Sequence, residues 1–397
     1  MILKEPPPEQ SALATATSAE VAPPVIDDEV EDVRLTVTPQ WKLIWWRFRK
    51  HRLAVVSAFV LALLYLIALF ADLVAPHDPN AVNSRFRLAG PTPITFFDPD
   101  GQFTFWPGVN PLTIVRDPET LRLTYTPDTS SWYPIHLVTQ GPSYKLWGFW
   151  EMDIHLLRLG PEAPDQTLFI LGTDRLGRDV FSRVIHGGRL SLSIGLVGVA
   201  LQFLLGIVLG GVSGYFGGWI DTTVQRAVEF LRSIPRIPLW LGLAAAIPPK
   251  WPLEYTYFAI TLILALIEWT GLARQVRGRF LALREEDFVL AARLSGARER
   301  RVIFRHMLPS FTSHIIASVT LAIPRTILAE TTLSFLGLGL REPAMSWGVL
   351  LQDAQNVQAV ALSPWLMLPA LPLIVTIMAF NFLGDGLRDA ADPYGGK

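Results

Sequence analysis

Apolar residues in this chain fall in long blocks, not in the short alternations of a water-soluble core. A helix that crosses bilayer hydrocarbon needs about 20 mostly apolar residues. Six stretches approach that length: Leu53 to Val74, Leu190 to Tyr215, Val224 to Ile247, Tyr255 to Leu272, Ile315 to Leu338 and Trp365 to Leu383. The third is interrupted by Arg232, Pro235, Arg236 and Pro238, so a break or kink is expected there. Between the first two blocks the pattern changes. Residues 76–189 are rich in Pro, Gly, Trp and Phe, with short alternating runs such as Leu121 to Thr126 between breakers, which predicts strands. The pattern as a whole predicts an all-α polytopic membrane protein of six transmembrane helices, with a β-rich insert between the first two.

Composition agrees. Only 17% of the 397 residues are charged and half are hydrophobic, where soluble domains carry about 25% charged residues. Charge is segregated, so the net value of −1 says little. Nine arginines lie between Arg274 and Arg305, and Arg47, Arg49, Lys50, His51 and Arg52 precede the first block. Counted on short flanks, such clusters mark the cytoplasmic side. Six crossings then place both termini in the cytoplasm and the insert outside. Residues 1–33 are Pro/Ala/Glu-rich with an acidic cluster at Asp27, Asp28, Glu29, Glu31 and Asp32. They lack a signal peptide's basic start and apolar core, so a disordered tail is expected. The chain divides into that tail (1–33), a basic flank with the first helix (34–75), the insert (76–189), and a five-helix core (190–397) carrying a cytoplasmic loop at 281–309.

The loop carries the most information. Glu285, Glu286 and Asp287 suit a helix start. Phe288, Ala291, Ala292 and Ser295 recur at helical spacing on one small-residue face, Gly296 suits a helix end, and a second helix restarts at Val302 before Leu308 and Pro309. Spacing alone fits two readings: an amphipathic loop helix with solvated arginines, or a docking surface for another protein.

Ala291, Ala292 and Gly296, followed by Leu308-Pro309, resemble the "EAA" coupling motif of ABC-importer permeases. Further segments resemble the oligopeptide/dipeptide/nickel branch, in its second-permease or "C-type" subunit: Leu171 to Arg183, Glu330 to Leu340, Ser346-Trp347-Gly348, and Asn381 to Ala390 with Asp392-Pro393. The resemblance runs from about residue 40 to the end, apart from the insert. It implies a bacterial inner-membrane permease that forms half of a translocation pathway for oligopeptides or related solutes. The implied partners are a homologous second permease, two ATP-binding subunits, an extracytoplasmic solute-binding protein and membrane lipid, with no nucleic acid. This chain itself would be no enzyme and hold no cofactor or metal, ATP and Mg belonging to the ATPases. Leu290 stands where the motif's glutamate is usual, which shifts the expected contact from polar to apolar.

Other constellations weigh toward structure. The Gly172-Thr-Asp-x-x-Gly-Arg-Asp179 run lacks the lysine and spacing of a phosphate loop. Asp174, Arg178, Asp179 and Arg183 are expected to form a turn and a salt-bridged interfacial helix. Gly206, Gly210 and Gly214 make a helix-packing face. The seven histidines show no metal-ligand spacing. Ionisable groups within spans usually face a cavity or partner, which makes Glu268, Arg325 and Glu330 pathway candidates, or ties between helices. They also support an alternative, an ion-coupled secondary transporter without an ATPase, although the inverted repeat common in that class is not seen.

Overall fold

A computed structural model describes residues 40–391, apart from 99, 117, 119–122, 161 and 164–167. The expected N-terminal tail and Asp392-Pro393 lie outside the described residues.

The chain opens with α1 (Gln40–Lys50), α2 (Arg52–Leu69) and a single turn, α3 (Ala71–Val74). Six strands follow: β1 (Ile94–Phe97), β2 (Phe103–Val109), β3 (Leu112–Arg116), β4 (Leu123–Pro127), β5 (Tyr133–Leu146) and β6 (Trp150–Leu159). They form an antiparallel sheet of order β1-β2-β5-β6 and a separate β3-β4 hairpin. Of the alternating run foreseen at Leu121 to Thr126, the described part from Leu123 on lies in β4, paired with β3 from Leu112↔Pro127 to Arg116↔Leu123, and residues 121 and 122 lie outside the described residues. Val109, Ile135, Leu159 and Leu168 bury one small core, and Phe86, Ala89, Leu112 and Phe169 another.

The helical part comprises α4 (Val180–Phe216), α5 (Gly218–Ser233), α6 (Arg236–Ala245), α7 (Leu253–Leu283), α8 (Asp287–Leu294), the short turns α9 (Glu299–Arg301) and α10 (Leu308–Ser310), α11 (Thr312–Phe335), α12 (Trp347–Leu351), α13 (Val357–Leu362) and α14 (Ala370–Ala391). Five of the described helices are long and apolar enough to cross a membrane: those over Arg52–Leu69, Val180–Phe216, Leu253–Leu283, His314–Phe335 and Pro364–Ala391.

The third expected span, Val224 to Ile247, is not one helix. Pro235 disfavours helical backbone at the residue before it. Ile234 accordingly turns extended (φ −92°, ψ 131°), which ends α5, and α6 restarts at Arg236. The helix ends also moved. α4 begins ten residues before Leu190, and α7 continues past Leu272 to Leu283. At 1.5 Å per residue α7 is about 46 Å long, longer than the roughly 30 Å of bilayer hydrocarbon, and it carries Arg274, Arg277 and Arg279 towards its C-terminal end.

The glycine series of α4 sets the central helix contact. A Cβ on Gly206 would lie 2.9 Å from the Leu272 side chain, and one on Gly214 2.7 Å from the Arg277 carbonyl oxygen. α4 and α7 therefore meet backbone to backbone, as the small-residue spacing predicts.

Candidate functional site

Two regions hold the candidate residues: the loop at 281–309 and a cavity among the long helices.

The loop begins where α7 ends. Glu286 is the N-cap of α8 and Asp287 occupies its first turn, favourably placed against the helix dipole. At the other end Gly296 has φ +73°. Its N–H donates to Arg293 O at 2.9 Å, and Ala297 N–H donates to Ala292 O at 3.1 Å. These two bonds define a Schellman motif, so the backbone at 296 calls for glycine or, next best, asparagine. A Cβ there would meet nothing within 4 Å, and conformation rather than space excludes other residues.

Val289, Val302 and Met307 are buried against Tyr215, Phe280, Phe311 and Ile315. This core fixes α8 to the ends of α4, α7 and α11. Ala292 and Leu308 pack partly into it. Ala291 and Pro309 face outward, so the two alanines do not share one face. Pro309 has no N–H to offer the turn before it, and the residues leading to it, Val302–Met307, wind as a π-helix. Arg293 stacks on the Tyr215 ring at 4.9 Å.

The outer surface of this segment exposes large apolar side chains among its arginines. Leu294 is 90% exposed and Phe304 63%, and Phe288 and Leu290 are each more than two-fifths exposed. The sequence reading found the small residues here but missed Leu294 and Phe304, because an apolar residue beside an arginine does not show by its position which side of the segment is covered.

The cavity, about 340 Å³, is lined by Gln202, Arg236, Glu268, Gln275, His314, Arg325 and Arg388 among apolar side chains. Glu268, halfway along α7, pairs with Arg236 at 3.0 Å. That pairing depends on the break at Pro235, which puts Arg236 at the start of α6. Gln202 donates to Thr326 Oγ1 at 2.9 Å, and Ser318 to Gln275 at 3.2 Å. Glu268 and Arg325 thus share one cavity. Glu330 does not join them. It is fully buried on another face of α11, where Ser334 donates to it at 2.8 Å. Ser334 in turn accepts from Leu340 N–H at 3.0 Å, so this carboxyl ties the end of α11 to the loop that follows. Gln202, Gln275, His314 and Arg388 were missed: they come from four different helices and share no local spacing, and only packing puts them in one place.

A second charged cluster lies before α4. Asp174 Oδ1 accepts from Leu176 and Arg178 N–H at 2.8 and 3.0 Å. Arg178 and Arg183 converge on Glu342 at 2.6 and 3.0 Å. Asp179 caps α4 by accepting from Ser182 N–H at 2.9 Å. Burial pushes the Glu342 carboxyl up, but the two arginines outweigh it and hold it below its ordinary value. The turn and salt-bridged helix start expected from the sequence are what these residues build.

Comparison with known proteins agrees with this architecture. Residues 205–394 match the family described as "binding-protein-dependent transport system inner membrane component", and residues 39–91 match "N-terminal TM domain of oligopeptide transport permease C". A dipeptide transport system permease protein of Bacillus subtilis is 40% identical over 224 residues, 56% of this chain and 68% of that protein. An oligopeptide transport system permease protein of Haemophilus influenzae is 37% identical over 260 residues, 65% and 80% of the two chains. A dipeptide permease of Alkalihalophilus pseudofirmus is 29% identical over 364 residues, 91% of this chain and 92% of that one. With a multi-pass helical core and relatives that are transport subunits rather than enzymes, the chain belongs to the family of inner-membrane permease components of binding-protein-dependent transport systems.

Proposed function

We propose that this chain forms one half of the translocation pathway of an ATP-driven importer for peptides or related solutes. It crosses the membrane six times, the third crossing being the broken α5–α6 pair, with both termini on the side of the 281–309 loop and the stranded segment on the other. A homologous second permease completes the pathway, two ATP-binding subunits power it, and an extracytoplasmic binding protein delivers the solute. The chain binds no cofactor; ATP and Mg sit on the ATPase subunits.

The observation that carries this reading is the exposed apolar surface of Phe288, Leu290, Leu294 and Phe304 on an arginine-rich segment beyond the membrane helices. Large apolar side chains left uncovered in this number on one short segment, with Leu290 and Leu294 one helical turn apart, fit a protein interface. Leu290, in the usual glutamate position, adds to an apolar contact. Because Val289, Val302 and Met307 bury the other side of the segment between α4, α7 and α11, a push on α8 is delivered to three long helices at once. Nucleotide-driven closure of the ATPases would then bias an inward-open and outward-open pair of states. Peptide as solute is supported by the relatives' names and by the cavity, which presents Glu268 with Arg236 and Arg325 to a molecule carrying both charges.

The chain has no cysteine, so Leu294→Cys gives a unique handle. In membranes holding the co-expressed ATPase we expect a specific cross-link that changes with nucleotide. Correctly inserted protein that cross-links to no ATPase would overturn the coupling role.

A further inference from the structure

The turn between β5 and β6 is made of residues a hairpin does not ordinarily choose. Trp147 has φ 52° and Gly148 φ 86°, the two positive angles of a type I′ turn. Asn, Asp or Gly usually takes the first of these positions, because a bulky residue is strained there. Trp147 is held by contacts to another element. Its indole N–H donates to the Leu69 carbonyl at 2.8 Å, and its ring lies 5.5 Å from that of Phe70.

Leu69 is the last residue of α2. Arg189 donates to the same carbonyl at 3.0 Å and pairs with Asp72 at 2.7 Å. A cluster of charges and an indole N–H at the end of an 18-residue apolar helix marks the level where hydrocarbon gives way to headgroups.

The rest of the turn is uncovered. Phe149 is 66% and Trp150 58% exposed, and their rings touch edge to face at 5.3 Å beside Trp147. On α2, Leu66 and Leu69 are exposed in the same way. The aromatic turn therefore prolongs the outward apolar stripe of α2 past the helix end. Behind it, the exposed Lys145 and Glu151 pair at 4.0 Å, polar groups suited to the headgroup zone.

We infer that residues 147–150 are an interfacial anchor that seats the strand-rich segment in the headgroup layer of the bilayer, with lipid as the occupant of the aromatic surface. Aromatic rings with a polar edge favour that layer. Strain at Trp147 persists because docking on α2 over-determines it. The inference rests on α2 crossing the membrane and is independent of the solute and the ATPase.

The test uses the full chain carrying Phe149→Cys with an environment-sensitive fluorophore, reconstituted in phosphatidylcholine nanodiscs alone and with its co-purifying subunits. Trp150→Cys serves as the second site if the first disturbs the turn. We expect blue-shifted emission, strong quenching by lipids brominated close to the headgroup, weaker quenching by deep bromines, and little quenching by aqueous iodide. Iodide quenching without lipid quenching would overturn the inference. So would protection from both quenchers that appears only with the other subunits, which would assign the surface to protein.

Discussion

Gly210 offers the sharpest test of how the helices pack. On α4 where it crosses α7, a Cβ at this position would sit 2.4 Å from the Ala273 carbonyl oxygen and 2.8 Å from its Cα. Carbon atoms in contact settle about 3.5–4.0 Å apart, so Gly210→Ala requires α7 to retreat by roughly 1 Å. Both clashing atoms are backbone, so no rotamer change relieves them. Gly206 and Gly214 hold the same two helices at the same spacing, and a local shift would open contacts along the whole crossing. Overpacking of this kind costs about 1–3 kcal/mol. Against that, alanine is the better helix former by about 0.8–1 kcal/mol. The net expectation is a loss of up to about 2 kcal/mol, or up to about 30-fold in the folded-to-unfolded ratio. Gly278→Ala, on α7 and with nothing within 4 Å of its Cβ, should be neutral or stabilising by up to about 1 kcal/mol. Equilibrium unfolding of the purified variants in mixed micelles reads both. If Gly210→Ala is as stable as Gly278→Ala, backbone contact between α4 and α7 does not set the fold.

Three further outcomes follow from the same geometry. Gly296→Val forces a β-branched residue into the left-handed region at about 1–2 kcal/mol and should uncouple solute-stimulated ATP turnover in the reconstituted assembly, while Gly296→Asn should largely retain it; equal behaviour of the two would refute the Schellman requirement. Arg236→Gln and Glu268→Gln should each lower peptide uptake several-fold, and the double variant should lose no more than the worse single one, since the groups act as a pair; strictly additive losses would separate them. Glu342 is held below its ordinary value by Arg178 and Arg183, so its contribution to stability is present above the ordinary carboxylate pKa of about 4.3 and is lost as pH falls through the lowered one. Glu342→Gln should therefore remove part of the acid sensitivity below about pH 4, read as unfolding midpoint against pH.

The sequence by itself determined the membrane class, the positions of five long helices, the strands in the insert, the packing face of Gly206, Gly210 and Gly214 and the motif-bearing loop. Each of these rests on a local signal: block length, period, a small residue every fourth position, or a run of arginines. The tertiary structure decided what local signals do not encode. Pro235 announced a break, but only the fold shows that the break delivers Arg236 to Glu268. Glu268, Arg325 and Glu330 look alike as charges in apolar blocks. Packing sends the first two to one cavity and seals the third beside Ser334, because a helix face acquires its environment only from the helices that cover it. The adjacent Ala291 and Ala292 part in the same way: the helix turns by 100° between them, and Tyr215 and Phe280 wait on one side only.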